Sequence, residues 1–261
     1  MTVCIAGACQ HHGEPRIVLC CDSRLDFGEV GSTNNACKVR ILGCGWVGLI
    51  AGDWTRTQYF SELVRDSITR KRPTSLEDVI RCINAATKRY MASPIYATGY
   101  QVELIASGFL DNTPYIITTT NHPPTNEDFT IATSEFAAIG SGWNIANVML
   151  SAREYHAGMN LNYATYLCYE AKRCSEKEGG VGRGTMLVYQ SPMNQETLYR
   201  GSLALITEAG ISHWGEIWSQ LWKVPFLDLP DFPPDYFRSS EAIPGLESTT
   251  AAPSPPPPSQ E

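Results

Sequence analysis

The segment Lys38-Val39-Arg40-Ile41-Leu42-Gly43-Cys44-Gly45-Trp46-Val47-Gly48-Leu49-Ile50-Ala51-Gly52-Asp53 holds two strand-like runs, 39–42 and 46–51, joined at Gly43-Cys44-Gly45. Apolar, β-branched runs bounded by glycine read as a hairpin. After Gly52 the period changes. Tyr59, Phe60, Leu63, Val64 and Ile68 recur at spacings of three and four, the mark of one helix face. Gly52 therefore stands where a strand gives way to a helix.

Outward from this unit the pattern repeats. Residues 3–9 and 17–21 are strand-like around the turn sequence Gln10-His11-His12-Gly13-Glu14-Pro15. Arg70-Lys71-Arg72-Pro73 closes the first helix, because proline cannot continue it. Thr74 or Ser75 opens a second, with Leu76, Val79, Ile80, Ile83 and Ala86 on one face. Residues 102–109 and 115–120 return to strand character around Asp111-Asn112. A short strand at 136–139 ends at Gly140-Ser141-Gly142, and helices are expected at about 144–156 and 161–176. A glycine-rich loop at 179–184 precedes strands at 185–190 and 197–200. The order predicts an α+β domain with helices on both outer faces of stacked sheets.

Composition bounds the function. The chain has 261 residues, 43% hydrophobic and 18% charged, which is a globular balance with room for a large core. The net charge of −7 sits mostly in residues 203–261, where eight acids face two bases, so no basic face for nucleic acid is implied. Apolar stretches fall far short of the roughly 20 residues of a membrane helix. No basic region precedes the apolar start, so a secretory signal is not expected. The nine cysteines, none spaced C-x-x-C, read as reduced, buried thiols of a cytoplasmic protein. Residues 203–238 form an acidic extension with Trp214, Trp218 and Trp222 at a spacing of four, expected to pack as a helix or on a neighbouring subunit. Residues 239–261, with Pro255-Pro256-Pro257-Pro258, read as a disordered tail.

Thr2 carries the first chemical suggestion. Met1 is normally trimmed before a small residue, which would leave a threonine with both a hydroxyl and a free α-amine. That amine has a reference pKa of about 7.7–8.0, so it can take the hydroxyl proton within one residue. Asp22 ends the second strand, Lys38 follows 16 residues later, and Gly52 14 after that. Taken singly these are ordinary. An Asp–Lys pair is usually a solvated ion pair worth under about 1 kcal/mol. Gly52 alone would be a helix-start glycine, and Ser141 an N-cap. No metal-ligand spacing is present, and the 179–184 loop lacks the Lys-Ser/Thr ending of a phosphate loop. No cofactor is expected.

Together these residues form a pattern. Thr2, Asp22-Ser23, Asn35-Ala36-Cys37-Lys38-Val39, Gly52, and Ala138-Ile139-Gly140-Ser141-Gly142 before a helix resemble the N-terminal nucleophile (Ntn) hydrolases of the proteasome β-subunit and HslV type. The Met-Thr-x-Cys start is similar to the proteasome-related Anbu group. The resemblance covers about residues 2–202, read as the hydrolase domain, and its first hairpin is about four residues longer than the family's. It implies a four-layer αββα sandwich. It implies Thr2 as nucleophile, Lys38 as the charge that lowers its proton affinity, and Asp22 as the partner of Lys38. Gly52 would be the oxyanion donor, Ser141 a ligand of the amine, and Ile50 the floor of an apolar specificity pocket. It also implies a peptide or amide substrate, a homo-oligomeric ring and an ATP-dependent unfoldase as partner.

The chain departs from that pattern after the fourth helix. Glu178 stands where the family has an aspartate near the nucleophile. Val181, which can neither donate nor accept, stands where it has a serine. Three rival readings follow: a non-catalytic ring subunit, a small-amide hydrolase, and a binding module built on the Trp-rich segment.

Overall fold

The computed structural model describes residues 2–26, 32–33, 36–96, 101–121, 129–133, 135–178, 181–192, 203–206, 212 and 237–239. Its centre is the hairpin of β1 (Cys4–His11) and β2 (Glu14–Asp22), paired in unbroken register from Cys4 opposite Cys21 to His11 opposite Glu14. The turn is only His12-Gly13, both at positive φ (51° and 82°), which suits the twist of a two-residue hairpin. The strands therefore reach further into the predicted 10–15 turn than expected.

Side chains of this hairpin alternate between two buried faces. Val3, Ile5, Cys9, Val18 and Cys20 face one way; Cys4, Ala6, Ala8, Ile17, Leu19 and Cys21 face the other. A sheet apolar on both faces requires a layer on each side. On the first face lie α3 (Trp143–Ala152) and α4 (Leu161–Ser175), which contribute Ala146, Leu150, Ala164, Leu167 and Cys168. On the second lies another sheet, made of β5 (Val39–Gly43), β6 (Trp46–Gly52), β7 (Val102–Leu110), β8 (Thr113–Asn121) and β9 (Phe129–Thr133) in that order. Its outer face, with Leu42, Trp46, Ile50, Leu104 and Ile117, is covered by α1 (Trp54–Lys71) and α2 (Leu76–Met91). The result is an αββα sandwich.

The first sheet is completed by β10 (Phe136–Ile139), β11 (Thr185–Gln190), β12 (Leu203–Ile206) and β13 (Phe237–Ser239), in the order β10-β1-β2-β11-β12-β13. A two-stranded ribbon, β3 (Leu25–Asp26) with β4 (Ser32–Thr33), stands apart. Two further hairpins turn on positive-φ pairs, Cys44-Gly45 and Asp111-Asn112. Asp53 caps α1 by accepting the Arg56 N–H at 3.0 Å, and Ser75 caps α2. Left-handed Arg72 (φ 46°) ends α1 just before Pro73.

Three differences from expectation stand out, two of them with a local physical cause. The third helix stops at Ala152, short of residue 156. Glu154 turns left-handed (φ 52°) and Tyr155 swings inward, donating its hydroxyl to the Ala8 carbonyl at 3.0 Å. Gly7 leaves room for that ring, since a Cβ there would lie 2.2 Å from the Tyr155 oxygen. Strand β9 went unmarked because Phe129-Thr130-Ile131-Ala132-Thr133 is a short edge strand with a half-exposed or exposed face. Leu203–Ile206 pairs with β11 as a strand of the first sheet, so the body runs past residue 202 into the expected 203–238 extension. The expected strand at 197–200, Trp214, Trp218, Trp222 and the proline-rich tail lie outside the described residues.

All nine cysteines are free thiols, and only Cys44 is partly exposed. Burial pushes the thiols of Cys4, Cys20 and Cys168 up, and that of Cys9 up to about 12. Thiolate is the reactive form, so these groups are inert while folded. At pH 8, Ellman's reagent is expected to titrate Cys44 first in the native protein and the remaining eight only after denaturation. Rapid native reaction of several thiols would contradict this packing.

Candidate active site

Because β1 and β2 are antiparallel, the start of one lies beside the end of the other. Asp22 N–H donates to the Val3 carbonyl at 3.2 Å, and Val3 N–H returns to Asp22 Oδ1 at 2.9 Å. Thr2, one residue earlier, is thereby set against the Asp22 carboxylate. Lys38 immediately precedes β5 in the facing sheet, with its carbonyl accepting the Ile50 N–H at 3.2 Å, and sends its chain across the sandwich. Lys38 Nζ bonds Asp22 Oδ1 at 2.8 Å and also donates to Thr2 Oγ1, which in turn donates to Asp22 Oδ1. All three side chains are buried, so this ion pair is not the solvated surface pair considered above.

Asp22 gathers two more donors. Arg24 N–H reaches Oδ2 at 3.2 Å and Gly182 N–H at 3.3 Å. Gly182 is required there, since a Cβ would lie 2.3 Å from Arg24 Cβ. Its loop is held from below by Lys172 of α4. That buried ammonium bonds the Arg183 carbonyl at 2.8 Å and Glu176 at 2.6 Å.

The turn after β10 supplies the third side. Thr2 N–H donates to Ser141 Oγ at 3.1 Å, Ser141 Oγ donates to the Thr2 carbonyl at 3.2 Å, and Gly142 N–H reaches that carbonyl at 3.1 Å. Gly140 has φ +87°, and a Cβ on it would lie 2.4 Å from the Thr2 carbonyl oxygen. Ser141 is not the N-cap of α3; Gly142 is. Glu103 of β7 reaches from the other sheet and accepts the Gly140 N–H at 2.5 Å.

Thr2, Lys38, Gly52 and Ser141 open onto one cleft of about 1320 Å³. Gly52 is exposed there at φ +114°, a conformation only glycine fits, because a Cβ would lie 2.2 Å from the Gln101 carbonyl oxygen. Ile50 borders the cleft too, but it is 1% exposed and packs with Trp46 and Phe60 toward α1 and α2. Glu178 does not join the cluster. It is exposed in the turn after α4, where its N–H donates to the Ser175 carbonyl at 3.0 Å. The chain leaves α4 there and re-enters the body at Val181, so a side chain at 178 is carried outward. Val181 is buried in the apolar layer with Val3 and Ile5.

Glu103, Gly182 and Lys172 escaped sequence reading. The glycine-rich 179–184 loop was the one visible signal, and it was read only as lacking the ending of a phosphate loop. Among the described residues no group of three or more His, Cys, Asp or Glu is placed to hold a metal.

No protein-family model matches the chain, and no curated protein matches it. Among solved structures the chain is similar to a mutant Anbu from Hyphomicrobium sp. strain MC1, with a TM-score of 0.63 at 17% identity, covering 89% of this chain and 100% of that one. That likeness and the layer order agree: the chain has the αββα fold of proteasome-like Ntn hydrolases.

The donors around Asp22 make the pair asymmetric. Asp22→Ala strands a buried ammonium and three backbone N–H groups, and is expected to cost about 3–5 kcal/mol in guanidinium unfolding. Lys38→Met leaves the carboxylate four other donors and is expected to cost less, about 1.5–3 kcal/mol. Equal losses would contradict the sharing of Asp22 among backbone donors.

Proposed function

We propose that the chain is a threonine-type Ntn hydrolase that cleaves peptide or amide bonds through an acyl-enzyme on Thr2. One observation carries this reading. The Thr2 hydroxyl lies between the Lys38 ammonium and the Asp22 carboxylate at the mouth of a cleft. A structural threonine on a strand end has no use for a buried ion pair on its oxygen, whereas a nucleophile does.

The steps follow from the groups present. Removal of Met1 turns the Thr2 nitrogen into an amine, held by Ser141. The nearby Lys38 charge favours loss of the Oγ proton, and the amine accepts it. Oγ attacks the carbonyl carbon, and the Gly52 N–H bonds the resulting oxyanion, a contribution typically worth about 3–4 kcal/mol of barrier. The C–N bond breaks as the protonated amine returns its proton to the leaving nitrogen. Water, deprotonated by the same amine, then releases the acyl group. On the resemblance above, the working form is a homo-oligomeric cytoplasmic ring served by an ATP-dependent unfoldase.

A second reading is a non-catalytic ring subunit. It is favoured by the outward Glu178 and the apolar Val181, which leave Thr2 without the carboxylate and hydroxyl that the resemblance implies.

Treatment with a β-lactone followed by intact and peptide mass spectrometry separates the two. Loss of Met1 with an adduct on Thr2 is expected, and Lys38→Ala is expected to slow trapping by about 100-fold or more. A free Thr2 that never reacts would make the ring subunit the better account. A retained Met1 would remove the amine base and this reading with it. Fluorogenic peptides with an apolar residue before the cut then separate a peptidase from a small-amide hydrolase.

A further inference from the structure

The inference rests on the proposal that Thr2 is the nucleophile, and it concerns the half of the cleft that takes the departing chain. The amine that receives the Oγ proton must return it to the leaving nitrogen. The leaving chain therefore exits on the amine's side of Thr2. Ser141 marks that side, since it accepts the Thr2 N–H at 3.1 Å. Ser141 runs directly into α3, whose N-cap is Gly142 and whose first residue is Trp143.

Trp143, Asn147 and Ser151 all border the cleft that holds Thr2. Their spacing of four puts them on one helix face, a stripe roughly 12 Å long at about 1.5 Å per residue. Three to four residues of an extended peptide cover that length at about 3.3 Å each. The stripe is graded. Its end beside Ser141 is apolar, with Trp143 50% exposed. Its outer end carries an amide and a hydroxyl, which suit a peptide backbone. Ile131 of β9, 61% exposed, and Phe136 of β10 border the same cleft. Of the five large apolar side chains exposed among the described residues, Trp143 and Ile131 border this cleft; Ile41, Ile95 and Val148 do not. Scattered surface apolar residues need no account, but apolar area opening on a nucleophile's cleft does.

We propose that Trp143 determines specificity on the leaving-group side, receiving an aromatic or large aliphatic side chain from the residue just after the scissile bond. Asn147 and Ser151 meet the backbone of the next residues. The substrate class is a polypeptide with an apolar residue following the cut, not a small amide whose leaving group is ammonia. Ammonia has nothing to place on this stripe.

The test uses the full-length protein and two mimics of the departing product, the tripeptide amides Phe-Ala-Ala-amide and Gly-Ala-Ala-amide. Each is added during β-lactone trapping of Thr2, and the trapping rate is read by mass spectrometry. The phenylalanine peptide is expected to protect Thr2 at roughly tenfold lower concentration than the glycine peptide. Trp143→Ala is expected to bring the two together, and Trp143→Phe to keep them apart. Equal protection in the wild type, or discrimination that survives Trp143→Ala, overturns the proposal while Thr2 remains a nucleophile. Failure of any lactone to label Thr2 overturns the hydrolase reading, and the leaving-group site falls with it.

Discussion

The Asp22 carboxylate is the group on which the open end of the sandwich depends. Five donors from four separate stretches of chain converge on it: Thr2 and Val3 from the N-terminal strand, Arg24 from beyond β2, Lys38 from the facing sheet and Gly182 from the loop after α4. A fully buried charge is tolerated only when its partners are in place. Folding thus cannot complete at this end unless both sheets and the loop arrive together. The same requirement brings an ammonium to the Thr2 hydroxyl.

Polar contacts hold the two sheets at both ends, with an apolar layer between. At the far end Gln190 of β11 is fully buried, accepts from Ser107 at 2.8 Å and donates to the Gly45 carbonyl at 2.7 Å. At the near end Lys38 and Glu103 cross from one sheet to the other. An apolar interface of small side chains such as Cys4, Ala6 and Ala8 specifies the sliding of one sheet over another only weakly, because packing of that kind is tolerant. Directional bonds at each end remove the freedom to slide. The far end is sealed, while the near end carries glycines at positions 52, 140 and 182 where backbone approaches backbone or side chain too closely for a Cβ.

Most of this architecture was legible in the sequence because it is local. Strand alternation, the His12-Gly13 and Asp111-Asn112 turns, the Ser75 cap and the Arg72-Pro73 stop are each decided within a few residues. The meeting of Thr2, Asp22 and Lys38 was legible only through the resemblance to Ntn hydrolases, since each residue taken singly is ordinary. What escaped was non-local. Glu103 reads as a polar interruption in a buried strand until the second sheet is laid against it. Gly182 acts through its backbone, which carries no residue-type signal beyond the glycine itself. Lys172 reads as a surface lysine late in an amphipathic helix, although the 181–184 loop closes over it. Glu178 shows the converse. Its residue type invited a catalytic role, and the direction of the chain after α4 withdraws it.

Glu178 and Val181 also bear on how the polar groups of Thr2 are satisfied. In this chain the Asp22 carboxylate and the Lys38 ammonium already satisfy the Thr2 hydroxyl, and Ser141 satisfies its nitrogen. A further carboxylate brought into the same dry pocket would face Asp22 as a like charge and raise the cost of burial for both. Val181 instead fills the apolar layer behind Thr2, and its Cγ2 would lie 3.2 Å from a Cβ placed on Gly142. Val181 therefore packs close behind Gly142, where a polar side chain would need a partner of its own. The turn that carries Ser141 is packed among Val181, Ser175 and Thr2. Under the function proposed above, the hydroxyl and the amine of Thr2 share one Cα, so proton transfer between them needs no second side chain to bring them together.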